Sequence, residues 1–333
     1  MDALSAIEVQ QLTHHYGRRR ALDDVTFAVT AGEIFAFLGP NGGGKTTLFR
    51  ILSTLVAPQT GRVVVLGSDV TSDTLRVRRA LGVVFQSPSL DKKLTVRENL
   101  NHQAALYGID KRGRRQKQDD LLTRLGLTDR ANDIVETLSG GLQRRVELAK
   151  GMLHGPKLLL MDEPSTGLDP GARSDLWRYL RRLRDEESVT IVMTTHLLEE
   201  ADRADRIAIL HEGRLVAHDT PANLRSSVGG DSLTVQAHDP AALASAIADR
   251  FACGASVVDG VIRLDCADAA SLVGPLWEAF PDQLIGLRLG HPTLEDVFIQ
   301  RTGHRFWRDA GGVDRDIGRA SARKSGTRER TRE

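Results

Sequence analysis

The stretch IFAFLGPNGGGKTTLF, at residues 34–49, decides the fold of this chain. Its apolar start is typical of a buried strand, its glycines of a tight turn and its end of a helix. The turn fits the pattern G-x-x-x-x-G-K-[ST], in which consecutive backbone N–H groups surround the phosphates of a nucleotide. The flanking strand and helix favour this interpretation over an ordinary glycine turn. The stretch therefore predicts a site for a nucleoside triphosphate.

The residues of this loop are expected to share the work of holding the triphosphate. Lys45 would reach the terminal phosphates and the Thr46 hydroxyl would bind Mg²⁺. The helix that follows points its positive end at the same anion. The predicted nucleotide contacts in the loop are Gly39, Pro40, Asn41, Gly42, Gly43, Gly44, Lys45, Thr46 and Thr47.

Length and composition set limits on the rest of the chain. Its 333 residues allow one large domain and a smaller one. The formal net charge is +1, so no overall field favours nucleic acid or anionic lipid. Cys253 and Cys266 lack metal-ligand neighbours, and we expect two buried, reduced thiols rather than a disulfide. No window approaches the roughly 18 apolar residues of a membrane span, so any membrane role is expected to come through a partner.

Short strands alternate with helices along most of the sequence. Helices are expected at residues 173–184 and 197–204, and helical spacing dominates residues 95–151. Residues 13–22 are typical of a turn with one exposed aromatic side chain and solvated His14 and His15. This alternation predicts an α/β fold with a mostly parallel sheet covered on both faces. The predicted strands cover residues 7–12, 25–29, 63–67, 81–86, 157–161 and 189–195.

Polar residues follow three of the predicted strands. Ligands of parallel sheets gather at the carboxyl ends of the strands, where Gln86, Asp162, Glu163 and His196 are expected to meet the phosphate-binding loop. Asp162 suits Mg²⁺, which prefers oxygen ligands, and Glu163 is placed to orient or deprotonate the attacking water. An acidic pair that only caps the next segment is the alternative, and the nearby phosphate-binding loop makes it the weaker one.

At this point the motifs resemble those of the ATP-binding-cassette ATPases, in order and over roughly residues 7–224. Residues 39–46 resemble the Walker A loop, and residues 160–164 resemble Walker B with its catalytic glutamate. Leu138-Ser139-Gly140-Gly141 resembles the family signature. The residues whose roles this resemblance supplies are Tyr16 as the ring that stacks on adenine, Gln86 of the glutamine loop as a catalytic and Mg²⁺-binding residue, Ser139, Gly140, Gly141 and Asp169 as nucleotide contacts, and His196 as the catalytic switch histidine.

Two positions depart from the family pattern. Leu142 stands where many members carry Gln, and Gly43 stands where a small side chain is more common. We expect Leu142 to face away from the phosphate, and Gly43 to add backbone freedom to the loop. Neither departure predicts an inactive site.

The resemblance implies a domain plan and an assembly. It implies a P-loop ATPase domain at residues 6–225, with an antiparallel β subdomain and a helical subdomain at about residues 88–155. A small α+β accessory domain is expected at residues 231–300, and a disordered tail at residues 303–333. Two chains would pair head to tail as a homodimer and enclose two ATP molecules, each completed by the signature of the other chain.

The resemblance also suggests what ATP drives. Residues 88–100 and the ending PTLEDVF at residues 292–298 are similar to ATPases of type-2 exporters, including the daunorubicin-resistance kind. This implies a peripheral subunit on the cytoplasmic face of the cell membrane that serves a separate permease and exports a drug-like molecule, a lipid or a glycan. The alternatives are a soluble ATPase acting on ribosomes or DNA, and a regulator without turnover, which Glu163 and His196 disfavour. The basic run at residues 111–117 interrupts the helical pattern and favours a solvated face that connects helices over a nucleic-acid site, so no nucleic-acid partner is expected.

Overall fold

The computed structural model describes residues 4–228, 232–258, 260–265, 269–304 and 306. The strands are β1 Ser5–Tyr16, β2 Arg19–Thr30, β3 Ile34–Leu38, β4 Thr60–Val65, β5 Ser68–Asp69, β6 Leu81–Val84, β7 Leu158–Asp162, β8 Thr190–Thr195, β9 Arg206–His211, β10 Arg214–Asp219, β11 Ser232–Ala237, β12 Gly254–Val258, β13 Val261–Asp265 and β14 Leu284–Gly290. The helices are α1 Lys45–Leu52, α2 Thr74–Ala80, α3 Val96–Leu106, α4 Lys111–Arg124, α5 Gly140–Met152, α6 Pro170–Glu187, α7 Leu198–Ala201, α8 Pro221–Ser226, α9 Pro240–Phe251, α10 Val273–Ala279 and α11 Leu294–Thr302.

The central sheet has six strands in the order β10-β9-β3-β8-β7-β6. Strands β9, β3, β8, β7 and β6 run parallel, and only the edge strand β10 is antiparallel to its neighbour. Alternate residues of β3 enter two different cores: Ile34 and Ala36 lie in one, Phe35 and Phe37 in the other. Because side chains of a strand alternate between its faces, both faces of this sheet are covered. The predicted α/β fold with a mostly parallel, doubly covered sheet is confirmed.

A second, antiparallel sheet has the order β2-β1-β4-β5. Phe27 of β2 packs on Phe37 of β3, with ring centroids 5.0 Å apart, and this contact joins the two sheets. The predicted turn at residues 13–22 is wrong, because β1 continues to Tyr16 and β2 already begins at Arg19. His14 is consequently buried, with only 4% of its surface exposed, rather than solvated.

Helices α3, α4 and α5 form the helical part of the domain. Leu100 of α3, Leu122 of α4 and Val146 of α5 are fully buried in one core that also contains Leu180 of α6. The basic run at residues 111–117 forms the first half of α4, whose buried residues are Gln118 and Leu122. The run is therefore largely solvated, as predicted, but the predicted interruption of the helical pattern is wrong, because residues 111–117 are part of α4. No helix in the part of the chain that the structure describes is long and apolar enough to cross a membrane.

The C-terminal region has a sheet and a core of its own. Its antiparallel sheet has the order β12-β13-β11-β14, and α9 and α10 pack with it through a separate apolar cluster that includes Leu243 and Leu276. Cys253 is half-buried and not in a disulfide, whereas Cys266 lies outside the described residues.

Helix α11 leaves this small core. Its side chains Leu294, Val297 and Phe298 join the large core of the central sheet, and an ion pair between Arg263 and Asp296 links α11 back to β13. Phe306, within the predicted disordered tail, is buried against Phe298 at a centroid distance of 5.0 Å. Residues 307–333 of that predicted tail lie outside the described residues.

Candidate functional site

The phosphate-binding loop, residues 39–46, connects the buried strand β3 to helix α1. A Cβ atom at Gly39 would lie 2.2 Å from the carbonyl oxygen of Leu210, so the loop requires glycine there. The N–H of Gly43 donates to Pro40 O (3.1 Å), and Gly43 O accepts from the N–H of Gly213 (3.0 Å). The backbone freedom expected at Gly43 is therefore limited by hydrogen bonds on both sides of the residue.

Lys45 is held inside the loop. Its Nζ donates to Gly39 O at 2.7 Å and to Pro40 O at 3.1 Å, and it lies 3.7 Å from Oε1 of Glu163. Only 4% of the lysine is exposed. Burial lowers the pKa of Lys45, while the charges of Glu163 and Asp162 oppose this shift. The ammonium group is thus positioned before any anion arrives, which reduces the cost of binding one.

An open cavity of about 220 Å³ lies in front of the loop. Tyr16, at the end of β1, lines the cavity and is 45% exposed. Arg19, at the start of β2, donates from Nη2 to Gly42 O at 3.0 Å and adds a positive charge that the sequence analysis missed. The remaining lining residues are Ala21, Asn41, Gly42, Gly44, Lys45, Thr46, Thr47 and Glu163. An exposed aromatic ring beside cations and loop N–H groups suits a nucleotide.

Glu163 lies where the predicted catalytic residues meet. Its Oε2 is 3.0 Å from Nδ1 of His196 and accepts from Nε2 of Gln86 and Oγ1 of Thr166, each at 3.3 Å. Its backbone has a φ of 44°, a left-handed conformation that is strained for a non-glycine residue. Its N–H donates to Oγ1 of Thr194 at 3.0 Å and thereby helps to hold this conformation. Such strain is often found at functional sites.

Asp162, the last residue of β7, is 6% exposed. Its Oδ1 accepts from Oγ1 of Thr194 at 2.5 Å, which leaves Oδ2 for another partner. Burial raises the pKa of Asp162, and the Thr194 hydrogen bond opposes that shift. The described residues contain no group of three or more His, Cys, Asp or Glu side chains that could hold a metal ion. The oxygen donors Thr46, Gln86 and Asp162 therefore fit Mg²⁺ only if phosphate oxygens complete its coordination.

Four predicted nucleotide contacts outside the phosphate-binding loop lie at helix N-termini. Ser139 caps α5, its Oγ accepting from the N–H of Leu142 at 3.4 Å, and Gly140 and Gly141 begin that helix. Asp169 caps α6, its Oδ1 accepting from the N–H of Ala172 at 2.9 Å. None of these four residues is among those that line the cavity within the described chain.

The sequence analysis did not identify Thr194, although its hydroxyl contacts the Asp162 carboxylate and the backbone N–H of Glu163. It lies within an apolar strand, where a threonine carries no pattern that separates it from other β-branched residues. Trp177 and Tyr179 of α6 are buried and pack in the large core.

Comparisons with known proteins identify relatives of this chain. Residues 22–166 match the family model described as ABC transporter. The chain is 37% identical over 312 residues to the daunorubicin resistance ATP-binding protein DrrA3 of Streptomyces coeruleorubidus, covering 90% of this chain and 96% of the relative. It is 36% identical over 310 residues to the Nod factor export ATP-binding protein I of Rhizobium etli, covering 91% and 95% of the two chains.

Solved structures of cassette proteins resemble the fold. The structure of cbiO1 from Clostridium perfringens, described as part of the ABC transporter complex cbiONQ, matches with a TM-score of 0.63 and 25% identity over 74% of this chain and 96% of that chain. A dimeric structure of MJ0796, a bacterial ABC transporter cassette, matches with a TM-score of 0.59 and 28% identity over 64% of this chain and 98% of that chain.

Proposed function

Because this chain belongs to the ABC transporter family, we propose that it is the ATP-hydrolysing subunit of an exporter and works with a separate membrane permease. The ATPase activity follows from the family. The relatives named above for drug resistance and Nod factor export support the exporter over an ATPase of ribosomes or DNA. The cargo we propose is a small molecule that is drug-like, a lipid or a glycan.

The contacts of Glu163 carry the catalytic part of this proposal. Oε2 of Glu163 contacts His196, Gln86 and Thr166. Oε1 instead lies 3.7 Å from Nζ of Lys45, on the side where that lysine would bind a γ-phosphate. Oε1 is therefore the atom placed to accept a proton from water. As the water oxygen bonds to the γ-phosphorus, the bond to the β,γ-bridging oxygen breaks and ADP and inorganic phosphate leave.

Lys45 and the N–H groups of the loop stabilise the negative charge that develops on the phosphates in this step. Lys45 exchanges its loop carbonyl partners for phosphate oxygens, and loop N–H groups donate to the same phosphates. We propose Thr46, Asp162 and Gln86 as the residues that hold Mg²⁺ together with the nucleotide. When bound, Mg²⁺ neutralises charge on the β- and γ-phosphates. Tyr16 is proposed to stack on the adenine.

The separation of Ser139, Gly140, Gly141 and Asp169 from the cavity supports a site shared between two chains. In this proposal the capped N-terminus of α5 from one chain approaches the γ-phosphate bound at Lys45 of the other. A C₂ arrangement forms two such sites. ATP then holds the dimer together and hydrolysis releases it. On the membrane, the dimer would sit at the cytoplasmic face, bound to its permease.

Glu163→Gln tests the catalytic assignment. We expect turnover to fall by roughly 10²- to 10⁴-fold, the usual contribution of a general base, while ATP still binds and drives the chain into a dimer. The measurements are phosphate release and size-exclusion chromatography with ATP and Mg²⁺. Glu199→Gln, an exposed position on α7, is the matched control. Wild-type turnover in Glu163→Gln would refute the assignment.

Two inactive variants test the shared site. Lys45→Ala removes the phosphate ligand of one chain, and Ser139→Arg blocks the helix N-terminus of the other. Mixed dimers contain one site free of both substitutions, so mixing should restore part of the activity. No recovery on mixing would contradict the head-to-tail arrangement. Co-purification with a permease from detergent-solubilised membranes tests the exporter role, and association with ribosomes instead would refute it.

A further inference from the structure

One face of helix α5 is hydrogen-bonded to the segment that carries Gln86. Arg144, Glu147 and Lys150 are spaced three residues apart and therefore project from the same side of the helix. All three side chains contact residues 85–89, which we call the glutamine segment. We call the three side chains the α5 clamp.

Arg144 holds the beginning of the glutamine segment. Its Nη1 donates to Phe85 O at 2.7 Å and its Nη2 donates to Gln86 O at 3.1 Å. The residue is 7% exposed, and burial lowers the pKa of its guanidinium. Removing a guanidinium from water costs free energy unless its N–H groups donate hydrogen bonds. The two bonds from Arg144 meet this need and hold the main chain of Gln86 against α5.

Glu147 and Lys150 hold the end of the segment through one residue. Oε1 of Glu147 accepts from the N–H of Ser89 at 2.7 Å, and Oε2 accepts from Oγ of Ser89 at 3.1 Å. Nζ of Lys150 donates to Ser89 O at 2.6 Å and to Ser89 Oγ at 2.8 Å. Every polar group of Ser89 is thus bonded to α5. Glu147 is only 1% exposed, and a buried carboxylate requires such donors.

The two ends of this arrangement face different parts of the proposed site. Gln86 Nε2 reaches Glu163, while Ser139 caps the N-terminus of the helix that carries the clamp. A tilt of α5 must therefore move the main chain at residues 85–89. We propose that Arg144, Glu147 and Lys150 are positioning residues, which couple docking of the Ser139 end of α5 to the placement of Gln86 beside Glu163. This inference rests on the shared-site function proposed above.

Hydrogen–deuterium exchange in the full chain tests the coupling. In a Glu163→Gln background, ATP with Mg²⁺ should protect peptides that cover residues 139–142 and residues 86–91 together. Adding Arg144→Met or Glu147→Ala should leave the protection at residues 139–142 but abolish the ATP response at residues 86–91. An equal response at residues 86–91 in these variants would overturn the proposal. If ATP with Mg²⁺ protected neither segment in the Glu163→Gln parent, this result would instead refute the shared site.

Kinetics in the otherwise wild-type chain provides a second readout. Arg144→Met and Glu147→Ala should lower kcat by roughly tenfold to a hundredfold, as expected when a catalytic group is misplaced, with the KM for ATP within about twofold. Arg144→Lys, which offers one donor group in place of two, should be intermediate, and Glu147→Gln should recover most of the activity. Arg145→Met is the control, because Arg145 pairs with Asp175 of α6 at 2.6 Å instead. A fall in the melting temperature without any change in kcat would show a merely structural role and overturn the proposal.

Discussion

Removing the side chain of Phe298 should destabilise the ATPase core and not the accessory core. Phe298 is 1% exposed and packs in the large core beside His211 and Phe306, with ring centroids at 5.2 and 5.0 Å. Phe298→Ala removes a fully buried aromatic ring, which costs about 3–5 kcal/mol of unfolding free energy. That is a large part of the roughly 5–15 kcal/mol that stabilises a typical domain. With a denaturant slope of about 3 kcal/mol/M, the urea midpoint should fall by about 1 M or more.

A single tryptophan can report on the ATPase core alone. Trp177 of α6 is 3% exposed in the same apolar cluster as Phe298, whereas Trp277 lies in the small domain and is 50% exposed. Trp277→Phe together with Trp307→Phe leaves Trp177 as the only indole. Its fluorescence should follow the lowered transition in Phe298→Ala.

The matched control is Leu276→Ala, which truncates a fully buried residue of the accessory core. This variant should lower the unfolding transition of the small domain, followed by exchange of its amides, and leave the Trp177 transition in place. An unchanged Trp177 midpoint in Phe298→Ala would refute the reasoning. We propose that the accessory domain ends near residue 290, before α11, and not at residue 300. The expected pattern of transitions would support this boundary.

Three further outcomes are expected. Gly39→Ala places a Cβ atom 2.2 Å from Leu210 O and should weaken the binding of a fluorescent ATP analogue by at least roughly tenfold. The control Gly274→Ala, where the added Cβ has open space, should not weaken it. Equal affinities of the two variants would contradict the loop geometry. Thr194→Val removes the hydroxyl bonded to Asp162 and Glu163, so it should cost about 1–3 kcal/mol of stability in urea and lower kcat. The control is Thr190→Val, because Oγ1 of Thr190 accepts from the N–H of Gly32; this variant should lower stability without lowering kcat. An equal kcat in the two variants would contradict the positioning role of Thr194. Burial lowers the pKa of His154, whose Nδ1 has no hydrogen-bond partner in the described part of the chain, so the unfolded chain takes up a proton first and stability should fall as pH drops below about 6.5. His154→Phe should reduce that loss in urea titrations at pH 7.5 and 5.5, and an unchanged loss would show that another group is responsible.

The sequence predicted the parts of the fold that depend on local pattern. The apolar runs and the turn at residues 39–46 predicted the parallel sheet, and the position of Gln86, Glu163 and His196 after strands brought them to one edge. In the structure, Gln86 and His196 both contact Oε2 of Glu163.

Contacts between distant segments were not predictable in this way. Arg144 bonds to carbonyl groups almost 60 residues earlier in the chain, and nothing in its helical spacing indicates a partner. His14 is buried because β1 extends through a stretch whose polar composition is typical of a turn. The apolar residues of α11 predict a buried face but cannot specify which of two cores receives it.

The placement of α11 has a consequence for the order in which the protein is made. Synthesis proceeds from the N-terminus, so the small domain leaves the ribosome before Leu294, Val297 and Phe298 do. The nucleotide-binding core therefore lacks part of its interior until residue 298 has been synthesised. A chain that stops after β14 contains every proposed catalytic residue but lacks these core side chains, so a larger fraction of it is unfolded and open to proteases.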